Sequence, residues 1–356
     1  MLSAPDACMA DLKQTALQIA RKTLAEIDIP SSMQRKLARA GSIIRVNGAD
    51  FDLAAYDRIF SVAIGKASVA MAHGIVRVLS PDFRAEGIVV SPSMATNPPP
   101  GFRVLIAGHP VPDEGSFAAG RAILDLLAST GERDLVFFLL SGGGSALVEQ
   151  PLDPKVTLGD VQELNRALVT CGASIDEINS VRKHFSAVKG GRLAVAAPAA
   201  MKITLGITDV PDGQESALAS GPTLPDPTTV GDVCNVIGRY GLLSNLPASI
   251  RGQIENPERI PETPKASHPA FRRSAFQIVL GRDDLFHPAH RSAEAAEFVA
   301  VCDNTTDNWP VGEAADFLLA QLAELTGRKT LTANRALIVA NATLAAAVAV
   351  ALAEEE

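Results

Sequence analysis

The stretch Asp134-Leu-Val-Phe-Phe-Leu-Leu-Ser141-Gly142-Gly143-Gly144-Ser145-Ala146-Leu147-Val148-Glu149 constrains this chain more than any other. It reads as a buried strand, a glycine turn and a helix start. Consecutive glycines let the backbone turn where a Cβ would clash and bring several N–H groups close to a ligand. A helix starting behind them aims its positive dipole end at the same spot. That layout makes an anion site, with phosphate as the obvious guest. The alternative is a tight strand-to-helix connection that binds nothing, so neighbouring segments must decide.

Strand-turn-helix units recur along the chain. Arg58 to Ile64 reads as a buried strand, Gly65 turns, and Lys66 to Leu79 carries a helical period. Gly87–Ser91, Arg103–Ala107 and Lys202–Thr208 are further core strands, with helices predicted near 115–130, 161–171 and 175–189. The segment from Met9 to about Ala40 suits an amphipathic helix broken near Pro30. Strands alternating with helices predict an α/β fold, a mainly parallel sheet covered on both faces, with ligands at the carboxyl ends of its strands. A length of 356 residues fits two domains. The polar, proline-bearing stretch through Pro257, Pro261, Pro264 and Pro269 is the predicted linker. The expected division is a large domain over 1–245, a linker over 246–275 and a smaller α/β domain over 276–356. In the last, strands are expected at 276–280, 298–301 and 336–340, with helices near 289–297, 313–326 and 342–354.

Composition narrows the partners. A net charge of −8 without a basic run argues against nucleic acid held by its phosphates. Cys8, Cys171, Cys234 and Cys302 lie far apart with no CxxC pair, which predicts reduced thiols rather than a zinc site or a disulfide framework. Asp6, Asp11 and Lys13 break any signal-peptide core, and no uninterrupted apolar stretch approaches a membrane span. The expected setting is the cytoplasm, with no membrane.

Four more segments carry candidate chemistry. Lys66 at a strand end can bring its ammonium to an anion seated on nearby N–H groups. His109 lies in the stiff loop Gly108-His-Pro-Val-Pro-Asp-Glu114 and is a candidate ligand contact, whereas Asp113 and Glu114 equally suit a helix cap. The segment Asp176 to Arg192 holds Asn179, Arg182 and Lys183 on neighbouring helix faces, then Lys189 before the turn Gly190-Gly191. Such a concentration of cations in an acidic protein would draw a di- or triphosphate. It can also be a solvated helix face. Asp209, at the end of the 202–208 strand, is a reasonable Mg²⁺ ligand or an orienter of a substrate hydroxyl.

Taken together, Ala63-Ile-Gly-Lys66-Ala67, Gly108-His-Pro-Val-Pro-Asp113, Ser141-Gly-Gly-Gly-Ser145-Ala-Leu147, Ile175-Asp-Glu-Ile-Asn179-Ser-Val-Arg182-Lys183-His184, Lys189-Gly-Gly-Arg192 and Ser220-Gly-Pro-Thr223 resemble the class II glycerate kinases, also called the MOFRL family. The resemblance runs in family order over about residues 55 to 320. It implies a large Rossmann-like α/β domain facing a smaller α/β domain. It also implies ATP-dependent phosphorylation of D-glycerate, usually at the 2-hydroxyl, to give 2-phosphoglycerate with Mg²⁺. Carried over by residue, Lys66 resembles the catalytic lysine, Asp209 the strand-end aspartate, and Ser141 to Ser145 the phosphate-contacting loop. A homodimer is compatible with this reading.

The chain also departs from the family. Where relatives have an acidic pair after a glycine, it reads Pro211-Asp-Gly-Gln214. The Gly-Gly-Arg-Asn core expected after residue 307 is absent, so the smaller domain reads as truncated or rebuilt. Two other functions follow as alternatives: a hydroxypyruvate reductase-type oxidoreductase, which needs a dinucleotide site, and a non-catalytic nucleotide- or glycerate-binding remnant. No GxGxxG follows a strand, which counts against the first.

Overall fold

Two seven-residue apolar runs, 58–64 and 134–140, are too short and too continuously buried for anything but central parallel strands. The computed structural model describes residues 18–295 apart from 20, 24–25, 96 and 209–214. In chain order it contains α1 (Ile29–Leu37), the hairpin β1 (Ile43–Val46) and β2 (Ala49–Asp52), β3 (Arg58–Ile64), α2 (Ser68–Leu79), β4 (Glu86–Ser91) and β5 (Phe102–Ile106). There follow α3 (Glu114–Ala128), β6 (Asp134–Leu140), α4 (Gly144–Leu147), α5 (Leu158–Thr170), α6 (Ile175–Phe185), α7 (Arg192–Ala196) and β7 (Met201–Ile207). The last elements are α8 (Val230–Arg239), α9 (Ala248–Ile254), β8 (Ser274–Leu280) and α10 (Arg282–Glu294).

Among the described residues the main sheet has the order β5-β4-β3-β6-β7-β8, and its pairs from β5 through β7 are parallel. Alternate residues of β6 point to opposite faces. Leu135, Phe137 and Leu139 pack with Met71, Ile75 and Leu79 of α2, whereas Val136, Phe138 and Leu140 pack with Ile123 and Leu127 of α3 and Leu193 of α7. Truncating either fully buried phenylalanine to Ala would cost about 3–5 kcal/mol. A third apolar cluster joins Leu164 and Leu168 of α5, Val181 and Phe185 of α6, Val233 and Ile237 of α8 and Ile250 of α9. At the foot of the sheet Arg58 grips Asp134 across the β3–β6 pair with two bonds of 2.9 and 2.7 Å. From β3 the chain winds outward to β4 and β5, then returns to place β6 and β7 on the other side. The carboxyl ends of β3 and β6 therefore flank the topological switch point, where open α/β sheets bind ligands.

The expected α/β fold with a mainly parallel sheet is present. The chain divides into a unit of Ile29–Val279 and a second unit combining Met1–Asp28 with Leu280–Glu356. Residues 246–275, expected as a linker, instead pack on the first unit: Leu246, Ile250, Ile254 and Ile260 are buried in the third cluster. Pro264 O accepts from Asp226 N–H at 3.0 Å. Two of the prolines open short 3-10 turns at Pro257–Arg259 and Pro269–Arg273. The strand expected at 276–280 is β8, in the main sheet rather than in a separate one. Within the second unit Arg291 donates to Glu26 at 2.6 Å. The strands and helices expected beyond residue 297 lie outside the described residues. Among the described residues no helix is long and apolar enough to cross a membrane.

Lys202, only 1% exposed in β7, donates to the carbonyls of Ala197 and Ala200 at 2.9 and 2.8 Å. Burial, aided by the positive charge of Arg273, pushes its pKa down to about 8. The folded protein then releases this proton near pH 8, whereas the unfolded chain holds it until near its ordinary value of 10.5. Between the two, the unfolded state binds more protons, so stability rises with pH. Wild type is expected to gain stability relative to Lys202→Met as pH is raised from 7 to 10, measured by urea unfolding at each pH; a constant difference would contradict this.

Candidate functional site

The turn after β3 and the turn after β6 are built against each other. Ser141 N–H donates to Ile64 O at 3.0 Å, Lys66 N–H to Gly142 O at 3.0 Å, and Ala67 N–H to Ser141 Oγ at 3.1 Å. Gly65, at φ 128°, admits this approach because a Cβ there would lie 2.2 Å from Ser141 Oγ. The same contact engages the Ser141 hydroxyl oxygen as an acceptor inside the scaffold. Among the described residues the N–H groups of Gly142 and Gly143 meet no acceptor. Gly143 is left-handed at φ 87°, and a Cβ on it would touch Lys66 Cε at 3.3 Å and the His109 ring at 3.0 Å. Lysine, imidazole and open amides thus meet in one place. α4 is a single turn, so its macrodipole is small, and the anion-binding capacity rests on these amides and Lys66 rather than on the expected helix. Burial lowers the Lys66 pKa. Burial and then the Lys66 charge lower that of His109, which favours a neutral imidazole.

His109 is held in place by a helix cap. Asp113 Oδ1 accepts from Ser116 N–H at 2.9 Å, closing a capping box at the start of α3, and also from Gly108 N–H at 2.8 Å. The capping role anticipated for Asp113 is therefore present, and it stiffens the loop.

The cations of 182–192 are largely internal. Lys189 is 1% exposed; its ammonium donates to Glu149 Oε2 at 2.5 Å and to Val148 O at 3.1 Å. Burial lowers its pKa to about 8, although Glu149 opposes the shift. Lys183 is buried against Asp226 at 3.1 Å, and that carboxylate also accepts from Thr228 Oγ1 at 2.7 Å. Gly190 N–H and Gly191 N–H donate to Ser220 O and Gly221 O at 3.0 and 2.7 Å. Lys183, Lys189, Gly190 and Gly191, expected to contact substrate or phosphate, each donate to an internal acceptor here. Arg182 differs. Partly buried, it donates from Nη2 to Ser145 O at 3.1 Å, and its buried Nε has no acceptor among the described residues. Asn179 accepts at Oδ1 from Ser220 Oγ at 3.0 Å, and Ser220 Oγ lies 2.6 Å from Ser145 Oγ. Asp209 lies outside the described residues. Among the described residues no three His, Cys, Asp or Glu side chains gather around a point that could hold a metal.

A family model described as a domain of unknown function, DUF4147, matches residues 15–255. Glycerate 2-kinase of Pyrococcus horikoshii is 34% identical over 321 residues, covering 89% of this chain and 70% of that protein. The chain belongs to the glycerate 2-kinase family. The solved structure of a Thermotoga maritima glycerate kinase shares the fold with a TM-score of 0.67 and 32% identity, covering 90% of this chain and 72% of that one. An Agrobacterium vitis protein with a provisional hydroxypyruvate reductase name is 46% identical over 213 residues, 60% of this chain and 47% of that protein. The chain thus spans about half the length of some curated relatives it matches, 47% in this case.

Among the described residues Lys66 and His109 meet at Gly143, beside Gly142, and Ser145 of the same loop is bonded to Ser220 and Arg182. The sequence marks Ser220 only through the Ser220-Gly-Pro-Thr223 motif, and gives neither Glu149 nor Asp226 a partner. Glu149 closes the glycine segment and Asp226 stands in a Pro-Asp-Pro run, so each could be noticed but not paired. Gly143→Ala forces a Cβ into the left-handed region and against His109, and is expected to cost about 1–2 kcal/mol. Gly142→Ala, with nothing within 4 Å of its Cβ, should stay within about 0.5 kcal/mol of wild type. Denaturant unfolding of both variants checks this; equal losses would contradict it.

Proposed function

We propose that the protein transfers the γ-phosphoryl group of ATP to the 2-hydroxyl of D-glycerate, giving 2-phosphoglycerate and ADP. The observation that carries this reading is the meeting of Lys66 with the open amides of Gly142 and Gly143 at the β3–β6 switch point. A loop of that kind cradles phosphate oxygens, and an adjacent ammonium offsets the charge carried by a transferring phosphoryl group. Phosphoryl transfer asks mainly for positioning and charge neutralisation, which this set supplies.

In the proposed reaction the glycerate hydroxyl oxygen bonds to the γ-phosphorus, the bond to the β-bridging oxygen breaks, and ADP leaves with that electron pair. Asp209, carried over from the family pattern, is proposed to take the hydroxyl proton or to hold Mg²⁺. When bound, Mg²⁺ would neutralise charge shared between β- and γ-phosphate oxygens. The neutral imidazole of His109 and the guanidinium of Arg182 are proposed contacts for glycerate, and Asn179 supports them from behind Ser220. Lys183 and Lys189 hold this architecture through their buried ion pairs. The cytoplasm, where ATP is supplied, is the proposed compartment.

The relative named as a hydroxypyruvate reductase motivates a second reading, hydride transfer from a nicotinamide. The turns Gly65-Lys66-Ala67 and Gly142-Gly143-Gly144-Ser145 lack the dinucleotide spacing, which favours the kinase. Coupled ADP release with D-glycerate, with the product identified by phosphorus NMR, tests the proposal; NADH oxidation with hydroxypyruvate and no ADP release would replace it. Binding of both ATP and glycerate without product would leave a non-catalytic binding protein. Lys66→Ala is expected to lower kcat by about 10²–10³-fold, the loss typical of removing one preorganised charge-stabilising group. Its melting temperature should be nearly unchanged, and turnover within twofold of wild type would remove Lys66 from the mechanism.

A further inference from the structure

Among the described residues six large apolar side chains stand exposed. Three of them, Met94 at 71%, Val111 at 53% and Ile106 at 45%, lie where β4 and β5 end. The others, Val169, Ile175 and Leu243, belong to the helical layer of α5, α6 and α8. Apolar side chains scattered singly on a surface need no explanation, but three on the rim of one crevice do. That rim has two walls. The turn after β4 reaches α2, where Asn97 O lies 2.9 Å from His73 Nε2. The turn after β5 reaches α3, where Asp113 caps the helix and Pro112 O accepts from Gln162 Nε2 at 2.8 Å. Because α2 and α3 cover opposite faces of the sheet, Met94 and Val111 stand on opposite sides of a trough across the strand ends. Ile106 alternates with Leu105 along β5 and so falls on the α2 side, with Phe102 and Val104.

What the trough can hold follows from where it leads. Gly65 N–H donates to Val90 O at 3.3 Å, which joins the end of β4 directly to the turn that carries Lys66. In the order β5-β4-β3-β6 the outer strand stands three spacings from β6. At about 4.8 Å per strand this is roughly 14 Å, comparable to the reach from the terminal phosphate to the ring system of an extended nucleotide. On the other side of the cradle, toward β7, the groups are polar or paired: Arg182 on Ser145, Asn179 on Ser220, and Lys189 on Glu149. A flat ring finds apolar surface only on the β4–β5 side.

We propose that the trough of Met94, Ile106 and Val111 holds the purine ring of the nucleotide. The phosphate chain then runs from β5 toward β6 and ends over the Gly142 and Gly143 amides. This rests on the kinase reading and adds to it the direction of the nucleotide and the surface that takes its base. The ring is held by contact on its faces, as small-molecule sites commonly hold the apolar part of a ligand while a few polar groups fix its orientation. His109, whose ring stands beside Gly143, remains at the reacting end, and the acceptor approaches from the side of Arg182.

The test uses the whole chain and two probes, ADP and inorganic tripolyphosphate. Both offer phosphates to the cradle, and only ADP carries a ring. The double variant Met94→Gln/Val111→Thr keeps side-chain volume and adds polarity at two exposed positions, where substitutions leave stability nearly unchanged. By calorimetry it is expected to bind ADP about tenfold more weakly than wild type, with tripolyphosphate affinity within twofold. Wild-type protein irradiated with 8-azido-ADP should carry the label on peptides containing residues 92–111. Unchanged ADP affinity in the double variant, equal losses for ADP and tripolyphosphate, or a label confined to other parts of the chain overturns the inference while leaving the kinase reading intact. Failure of the wild type to bind either probe overturns both.

Discussion

How closely β3 and β6 can end beside each other governs the site. Their parallel register pairs Ile64 with Leu140, so the residues that follow, Gly65-Lys66 and Ser141-Gly142, leave the sheet at the same level. Three hydrogen bonds then stitch the two turns together, and the missing side chain of Gly65 leaves room for Ser141. With any residue larger than glycine at 65 the turns would have to separate, and Lys66 would lose its place beside the Gly142 and Gly143 amides. The switch-point crevice is a property of the topology; its proposed use as an anion cradle depends on this one close approach.

Beneath that crevice lies a layer of paired charges. Glu149 holds Lys189 and Ser186, and Asp226 holds Lys183 and Thr228. Pairs of this kind are weak contributors to net stability because desolvation offsets much of their attraction. Removing one partner is costly, which makes them good at specifying a single arrangement. Here they join α6 and the glycine turn that follows it to the segment behind the triple-glycine loop and to the loop after Ser220.

The core strands were legible because each is a short apolar run ended by a glycine or by polar residues, and 58–64 and 134–140 have the expected limits. The convergence of Lys66 with the triple-glycine loop was also legible, since both follow central strands and α/β sheets gather ligands there. The fate of Lys183 and Lys189 was not. A lysine and a carboxylate 40 or 43 positions away carry no local mark of their pairing. The stretch 246–275 reads as a connector because of its prolines, although Leu246, Ile250 and Ile254 recur every four residues, the spacing of the short helical face they bury. Helix α6 ends at Phe185, short of the expected 189, because Ser186 turns extended and gives its hydroxyl to Glu149.

Asp113 ties the Gly108 amide and the first turn of α3 to one carboxylate oxygen. His109 consequently rides on a long helix whose inner face is packed against the sheet, and it has little freedom to swing by itself. A guest entering beside this imidazole finds a wall already in its final shape, so its affinity is not taxed by the entropy of freezing a loose segment. Under the proposed function, selection among acceptors of different size would then be steric and immediate, set before any rearrangement begins.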